Sequence, residues 1–434
     1  MATMTENKNE KKKITKKTGI FKAILNDIHD WRIRSKSLGT VDLPFFFIVI
    51  ILLVMGIIMM FSASYAWAIS EGSEGTYYAK RQILFAAIGL VAMFIASRVD
   101  YHMFQNKFIA FSIYGVSLIL LLLVKFTSLG KTHNNARRWL SIGKQEFQPS
   151  EIMKFAIVIP FAMLLANNYK KLKNYKTGVL PFIVLLLPVV GLLMLQPHLS
   201  CTILICLIAV AMIFIGGSKL SHILGTGLIG VICLGTVIIY KINVEGFTYF
   251  KKRFQSWLYP FSDTLGVTWQ TDQSLIAIGS GGFFGMGLGN SRQKFQYLPE
   301  SKNDFVFSIV CEELGFVGAI TVIALFAFFV FRGFYIASKS PDKFGMLVCL
   351  GLTMQIGFQA FLNIAVVSNL IPNTGISLPF FSYGGTSLMM LLVQMGVILN
   401  ISRHAMLDDE EERKDKRAKK LKKSQKKSDK LTAR

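Results

Sequence analysis

The chain has 434 residues, of which 52% are hydrophobic and only 17% charged. A soluble protein of this length carries more charge, and the apolar residues here fall in blocks longer than the ~11 residues of an ordinary buried helix. The formal net charge of +23 invites a nucleic-acid reading, yet the basic residues crowd into the tails with no aromatic platform or recognition fold, as in solvated segments facing anionic lipid.

Residues 1–41 form a basic tail with Lys11, Lys12, Lys13, Lys16, Lys17, Lys22, Arg32, Arg34 and Lys36. Ten apolar blocks follow, at 43–66, 80–97, 108–125, 151–168, 178–195, 199–216, 221–241, 304–331, 344–367 and 377–400. A helix of about 20 residues crosses a bilayer, so the expected fold is an all-α polytopic membrane protein with ten transmembrane helices over 42–403. A second basic tail, 404–434, closes the chain. Long blocks instead of short alternating segments exclude a membrane β-barrel. The long polar lead before the first block argues against a cleaved signal peptide. Cys201, Cys206, Cys233, Cys311 and Cys349 lie inside the blocks and read as helix-packing residues.

An even number of spans puts both tails on one side. Their Lys/Arg excess, with Lys170, Lys171, Lys173 and Lys176 after the fourth span and Arg332, Lys339 and Lys343 after the eighth, makes that side cytoplasmic. The loop 126–150 then faces outward although it holds Lys131, Arg137, Arg138 and Lys144. Either a span is miscounted or these cations serve an anionic ligand. Arg81, beside Gln82 at the outer end of the second span, poses the same question. Glu151 and Lys154 are spaced to pair at the start of the fourth span, where Ser150 can cap the helix. His198, in the turn Gln196-Pro197-His198, reads as a turn residue or a proton relay.

The segment 243–303 between spans seven and eight is too long for a turn and becomes a large extracellular loop. Trp257, Tyr259 and Trp269 suit a membrane interface. The run Gly279–Ser291 holds six glycines; it matches no phosphate-loop or dinucleotide pattern, and both an anion cradle and a packing or hinge role stay open. Asp304 opens the eighth span, as a helix cap or as a catalytic carboxylate. Glu312 and Glu313 lie two turns deeper, where burial demands partners; at most one is expected to line a cavity. Pro372, Gly375, Pro379, Gly384 and Gly385 break the approach to the tenth span, exposing backbone groups to the Asp304 region or forming a rigid loop.

Taken together, FSAS at 61–64, Arg81-Gln82, NNARRWL at 134–140, QPSEIMK at 148–154, GSGGFFGMGLGNSRQKFQYLPE at 279–300, NDFVFSIVCEELG at 303–315 and PNTGISLPFFSYGGTS at 372–387 resemble the SEDS family, the group of FtsW, RodA and SpoVE. The segment from Asn363 to Arg403 looks more like the division and sporulation members, FtsW foremost. The resemblance implies a peptidoglycan glycosyltransferase of the bacterial cytoplasmic membrane that polymerises lipid II on the outer face and releases undecaprenyl diphosphate with inversion. It implies Asp304 as catalytic base, directly or through Mg²⁺ or Mn²⁺, and no organic cofactor. Arg81, Arg137, Arg138, Lys294, Glu300 and Ser382 become substrate-binding candidates, with Arg137, Arg138 and Lys294 for diphosphate. Glu151, Lys154, Glu312, Glu313, Pro372, Gly375, Pro379, Gly384 and Gly385 become structural or cavity-lining ones. Implied partners are lipid II, undecaprenyl-linked glycan, a cognate class B penicillin-binding protein and divisome proteins. Two departures stand out: Asn134-Asn135-Ala136 replaces the usual Asn-Gly-Ala, and His198 replaces an aspartate. A lipid II flippase or other carrier, a spore-cortex polymerase and a divisome scaffold remain alternatives.

Overall fold

The computed structural model describes residues 39–133, 136–143, 145–244, 248–263 and 266–406. Both basic tails, apart from their innermost residues, and Asn134, Asn135 and Lys144 lie outside this range. Helix α1 (Leu43–Ser70) starts at Asp42, whose carboxylate accepts the amide of Phe45 at 2.9 Å and pairs with Arg332 at 2.6 Å. Then come α2 (Tyr77–Ala96), a 3₁₀ turn (Tyr101–Gln105) and α3 (Lys107–Phe126). After a small sheet follow α4 (Pro149–Asn168), the one-turn α5 (Tyr175–Gly178), α6 (Leu180–Leu195), α7 (Leu199–Ile215) and α8 (Leu220–Val244). The remainder is α9 (Thr248–Leu258), α10 (Trp269–Ser280), α11 (Val306–Ser338), α12 (Lys343–Val367) and α13 (Gly385–Met406).

Among the described residues, seven helices are long and apolar enough to cross a membrane: α1, α2, α3, α4, α11, α12 and α13. The shorter apolar helices α6, α7 and the first part of α8 fall where the other three blocks were expected. The last helix begins at Gly385 instead of residue 377, because 372–384 is irregular. Helix α12 packs against α11, α4 and α7, and its buried polar residues tie loops to the bundle. The Asn363 amide donates to the carbonyls of Asp304 at 2.7 Å and Ile376 at 2.6 Å.

Two features were not expected. The loop 126–150 folds into a three-stranded antiparallel sheet, β1 (Gly130–His133), β2 (Ala136–Ile142) and β3 (Gln145–Phe147), in the order β1-β2-β3. Helix α11 is broken at Gly315 (φ 67°, ψ −163°), a conformation that costs little only for glycine. Into that break fits the glycine run. Met286 and Gly287 donate to the carbonyls of Glu312 and Glu313 at 2.9 and 3.0 Å, while Phe316 and Val317 donate to Gly282 and Phe283 at 2.9 and 3.2 Å. Each half of the helix thus has orphan end groups satisfied by the loop backbone. The run is a packing element, and the close approach explains its composition: a β-carbon at Gly281 or Gly285 would collide with the α11 backbone.

Candidate active site

Both glutamates above the break face this loop and find there the partners that burial demands. Glu312 accepts the amide of Arg292 at 2.9 Å and the Ser291 hydroxyl at 2.5 Å. Glu313 accepts the Ser62 hydroxyl at 2.6 Å and pairs with the Lys294 ammonium at 3.0 Å. That ammonium also donates to the Gly289 carbonyl at 2.5 Å. Lys294 is buried and fully partnered, so its place as a diphosphate ligand gives way to a structural one.

Asp304 lies one residue before the N-cap of α11, Phe305, and no side chain caps that helix; the cap reading is thereby removed. Four other elements close on the half-buried Asp304 carboxylate. Gly375 (φ +70°) approaches so near that a β-carbon there would lie 3.2 Å from Oδ2 of Asp304 and 3.8 Å from the Arg253 guanidinium. Arg253, on α9, donates to the Asn373 carbonyl at 2.5 Å. Arg138, on β2, donates to the Pro197 carbonyl. Glu300, in left-handed backbone at φ 56°, accepts the Asn303 amide at 2.6 Å. A bulky residue in that conformation marks strain held by its surroundings, common at functional sites. Burial and the like charge of Glu300 push Asp304 up to about 6, against the opposing pull of Arg253 and Arg138.

His198 borders the same region. Its Nε2 is 2.7 Å from the Gln148 amide nitrogen, and Ser200, two residues on, donates to the Thr374 carbonyl. Burial, with Arg138 and Lys154 nearby, holds the imidazole well below its usual range, so the ring is neutral at pH 7. With Nε2 accepting from Gln148, the proton resides on Nδ1. Among the described residues, Nδ1 of His198 and Nε of Arg138 are buried side-chain atoms without a hydrogen-bond partner. Two buried donors without acceptors leave positions that acceptor oxygens of a ligand would satisfy.

The other candidates divide. Arg137 donates from Nε to the Gly130 carbonyl at 3.2 Å and from its terminal nitrogen to that of Thr127, which ties the sheet to α3. Arg81 donates to the Tyr77 hydroxyl at 2.9 Å on the exposed side of α2. Ser382 donates to the Asn303 carbonyl at 2.6 Å and accepts the amide of Leu378 at 2.8 Å, a tie between the 303 and 378–384 loops. Glu151 and Lys154 pair at 2.8 Å as spaced, and bind Ser387 and Gln359, each at 2.8 Å. Ser150 does not cap α4, since Pro149 already opens the helix and Gln148 is its cap residue. In the irregular stretch that carries Pro372, Pro379 and Gly384, the Gly384 amide donates to Gln82 at 3.3 Å and that of Tyr383 to the Lys302 carbonyl at 2.9 Å. Gly385 lies against the Phe85 ring. Arg253 is the residue that sequence reasoning missed.

Seven helices long and apolar enough to cross a membrane, one of them broken and preceded by a half-buried carboxylate on which arginines of β2 and α9 act, define a membrane protein with a built polar site. Residues 43–407 match the cell cycle protein family of FtsW, RodA and SpoVE, and the chain belongs to that family, also known as SEDS. It is 40% identical over 365 residues to stage V sporulation protein E of Bacillus subtilis (strain 168), covering 84% of this chain and 97% of that one. It is 36% identical over 365 residues to the probable peptidoglycan glycosyltransferase FtsW of Trichlorobacter lovleyi, covering 84% and 94%. With a chain of a solved peptidoglycan synthase complex that coordinates polymerization and crosslinking, it shares 26% identity at a TM-score of 0.67, over 84% of this chain and 98% of that one. With the rod shape determining protein RodA of Thermus thermophilus the values are 27% and 0.60, over 84% and 97%.

Proposed function

We propose that this membrane enzyme, a peptidoglycan glycosyltransferase, polymerises lipid II into glycan strands during septal wall synthesis, with Asp304 as the base. The observation that carries the reading is the Asp304 carboxylate, raised to about 6 and faced by Arg253 and Arg138. Above that pH it is ionised, and it is a stronger base than an ordinary aspartate. It takes the proton from the 4-hydroxyl of the acceptor GlcNAc as that oxygen bonds to the anomeric carbon of the donor MurNAc. The bond from that carbon to the diphosphate oxygen breaks, its electron pair leaves with undecaprenyl diphosphate, and the α-linked donor becomes a β-linked product. Arg138 and Arg253 stabilise the departing charge, and the His198 Nδ1 proton fills an acceptor site on the same ligand.

Asp304 and Glu300 together offer hard carboxylate oxygens, a donor set that suits Mg²⁺ or Mn²⁺ when a diphosphate completes the shell. Such an ion would neutralise charge on the leaving group. In this reading α6, α7 and α8 join the seven longer helices as ten spans. Both tails are then cytoplasmic and the site lies on the outer face, with the segment from 243 to 303 extracellular. A separate class B penicillin-binding protein supplies cross-linking, and divisome proteins position the pair.

Lipid II polymerisation by the reconstituted protein with its penicillin-binding partner, compared between wild type and Asp304→Asn, tests the proposal. Strands from wild type and at least a ~100-fold loss in the variant are expected, with lipid II movement across vesicles the same for both. Equal strand yield overturns the assignment of Asp304, and translocation lost along with Asp304 would favour the carrier reading.

A further inference from the structure

At the far end of α11 from Asp304, three chain segments bring together groups that the glycosyl-transfer reading does not use. Asp100 and His102 follow α2, His404 is near the end of α13, and Asp342 precedes α12. One ligand atom each from Asp100, His102 and His404 lies within 4.8 Å of the other two. Oδ1 of Asp100 is the hub, 2.7 Å from Nδ1 of His102 and 3.9 Å from Nε2 of His404.

Both imidazoles are aimed by a second contact. Nδ1 of His404 donates to the Asn400 carbonyl at 3.0 Å, which leaves Nε2 to face Asp100 with its lone pair. Nε2 of His102 faces Asp342 at 3.6 Å, which leaves Nδ1 toward the hub. Metal-bound histidines show this arrangement, in which the distal ring nitrogen meets a carboxylate or a backbone carbonyl and the proximal one is a ligand. Asp342 is itself fixed by accepting the Tyr101 hydroxyl and the Gly345 amide. Tyr101 stacks on His102 with ring centroids 4.1 Å apart, which limits rotation of the ring. The groups are part-buried, with side-chain exposures of 35% for His102, 14% for Asp100 and 16% for His404, so an ion and a completing water can reach them.

We propose that Asp100, His102 and His404 form a binding site for a divalent transition ion of the zinc type, with Asp342 and the Asn400 carbonyl as its outer support. Two imidazoles and one carboxylate suit such an ion and leave room for a water ligand; an all-oxygen set would have favoured magnesium or calcium. Bound there, the ion joins the chain leaving α2 to the end of α13. Ligation replaces the proton now held between Asp100 and His102, so one proton leaves as the metal enters.

The test is Co²⁺ titration of the full-length protein in detergent, purified through a tag without histidine and carrying Asp304→Asn so that only this site is read. The expected result is one equivalent bound with visible ligand-field absorption, competed by Zn²⁺. His404→Asn and Asp100→Asn should each weaken binding at least ~10-fold. Asp100→Asn retains the acceptor for the His102 amide, so it decides the matter if His404→Asn fails to fold. Co²⁺ binding that is absent from the parent protein, or unchanged in a folded variant, overturns the proposal and leaves a proton-held ion-pair cluster.

Discussion

The Lys294 ammonium lies 3.0 Å from Oε1 of Glu313, two residues above the break in α11. Both side chains are buried, at 4% and 0% exposure. Lys294→Met leaves a carboxylate buried without its cation and should lower stability by about 3–5 kcal/mol, read as a drop in thermal unfolding temperature in detergent. Lys294→Met with Glu313→Gln should recover most of that loss. If the single and double variants melt alike, the pair does not hold the loop.

Glycine at 315 should be irreplaceable. Gly315→Ala places a β-carbon against the backbone of Gly285 and Phe283 and demands a backbone conformation that alanine disfavours. A cost of at least about 2 kcal/mol is expected, measured as loss of monodisperse protein after extraction. Gly279→Ala, where a β-carbon meets open space, is the matched control.

Activity should follow the ionisation of Asp304. Burial, then Glu300, raises it to about 6, so polymerisation increases with pH through that value as the base loses its proton. Stability has the opposite sign: the folded state favours protonated Asp304, and its contribution falls as pH rises from about 4 to about 6. Glu300→Gln should move the acid limb of the pH–rate profile to lower pH. A limb that stays in place would exclude Glu300 as a source of the shift, provided the variant still polymerises.

Neighbouring arginines should behave differently. Arg138→Ala is expected to lower kcat/KM for lipid II at least ~10-fold through a lost charged contact with the departing diphosphate, whereas Arg137→Ala should lower the melting temperature and leave kcat/KM close to wild type. Steady-state polymerisation kinetics of the two variants separate these roles.

The apolar blocks were legible because length and hydropathy alone specify a helix in lipid, and the helices fall within a few residues of the expected limits at most ends. The sheet was not legible: its strands are short, and Arg137 and Arg138 read as one basic patch until strand geometry sends adjacent side chains to opposite faces. Gly315 gave no warning, since a single glycine is tolerated in an apolar helix and only the distant run at 279–291 requires the break. Asp304 stood out by its place before a long apolar run. Arg253 did not, since nothing local in TYFKKRFQSWL separates the basic residue that reaches Asp304 from the two beside it.

The break in α11 also bears on how the protein meets bilayers of different thickness. From Phe316 to Ser338 the helix rises about 35 Å, enough to cross a hydrocarbon core of ~30 Å without the turns above it. Both sides of the break are fastened to the glycine run, through the carbonyls of Glu312 and Glu313 and the amides of Phe316 and Val317, so that a tilt of the helix to match a thinner or thicker membrane carries that loop with it and does not bend at Gly315.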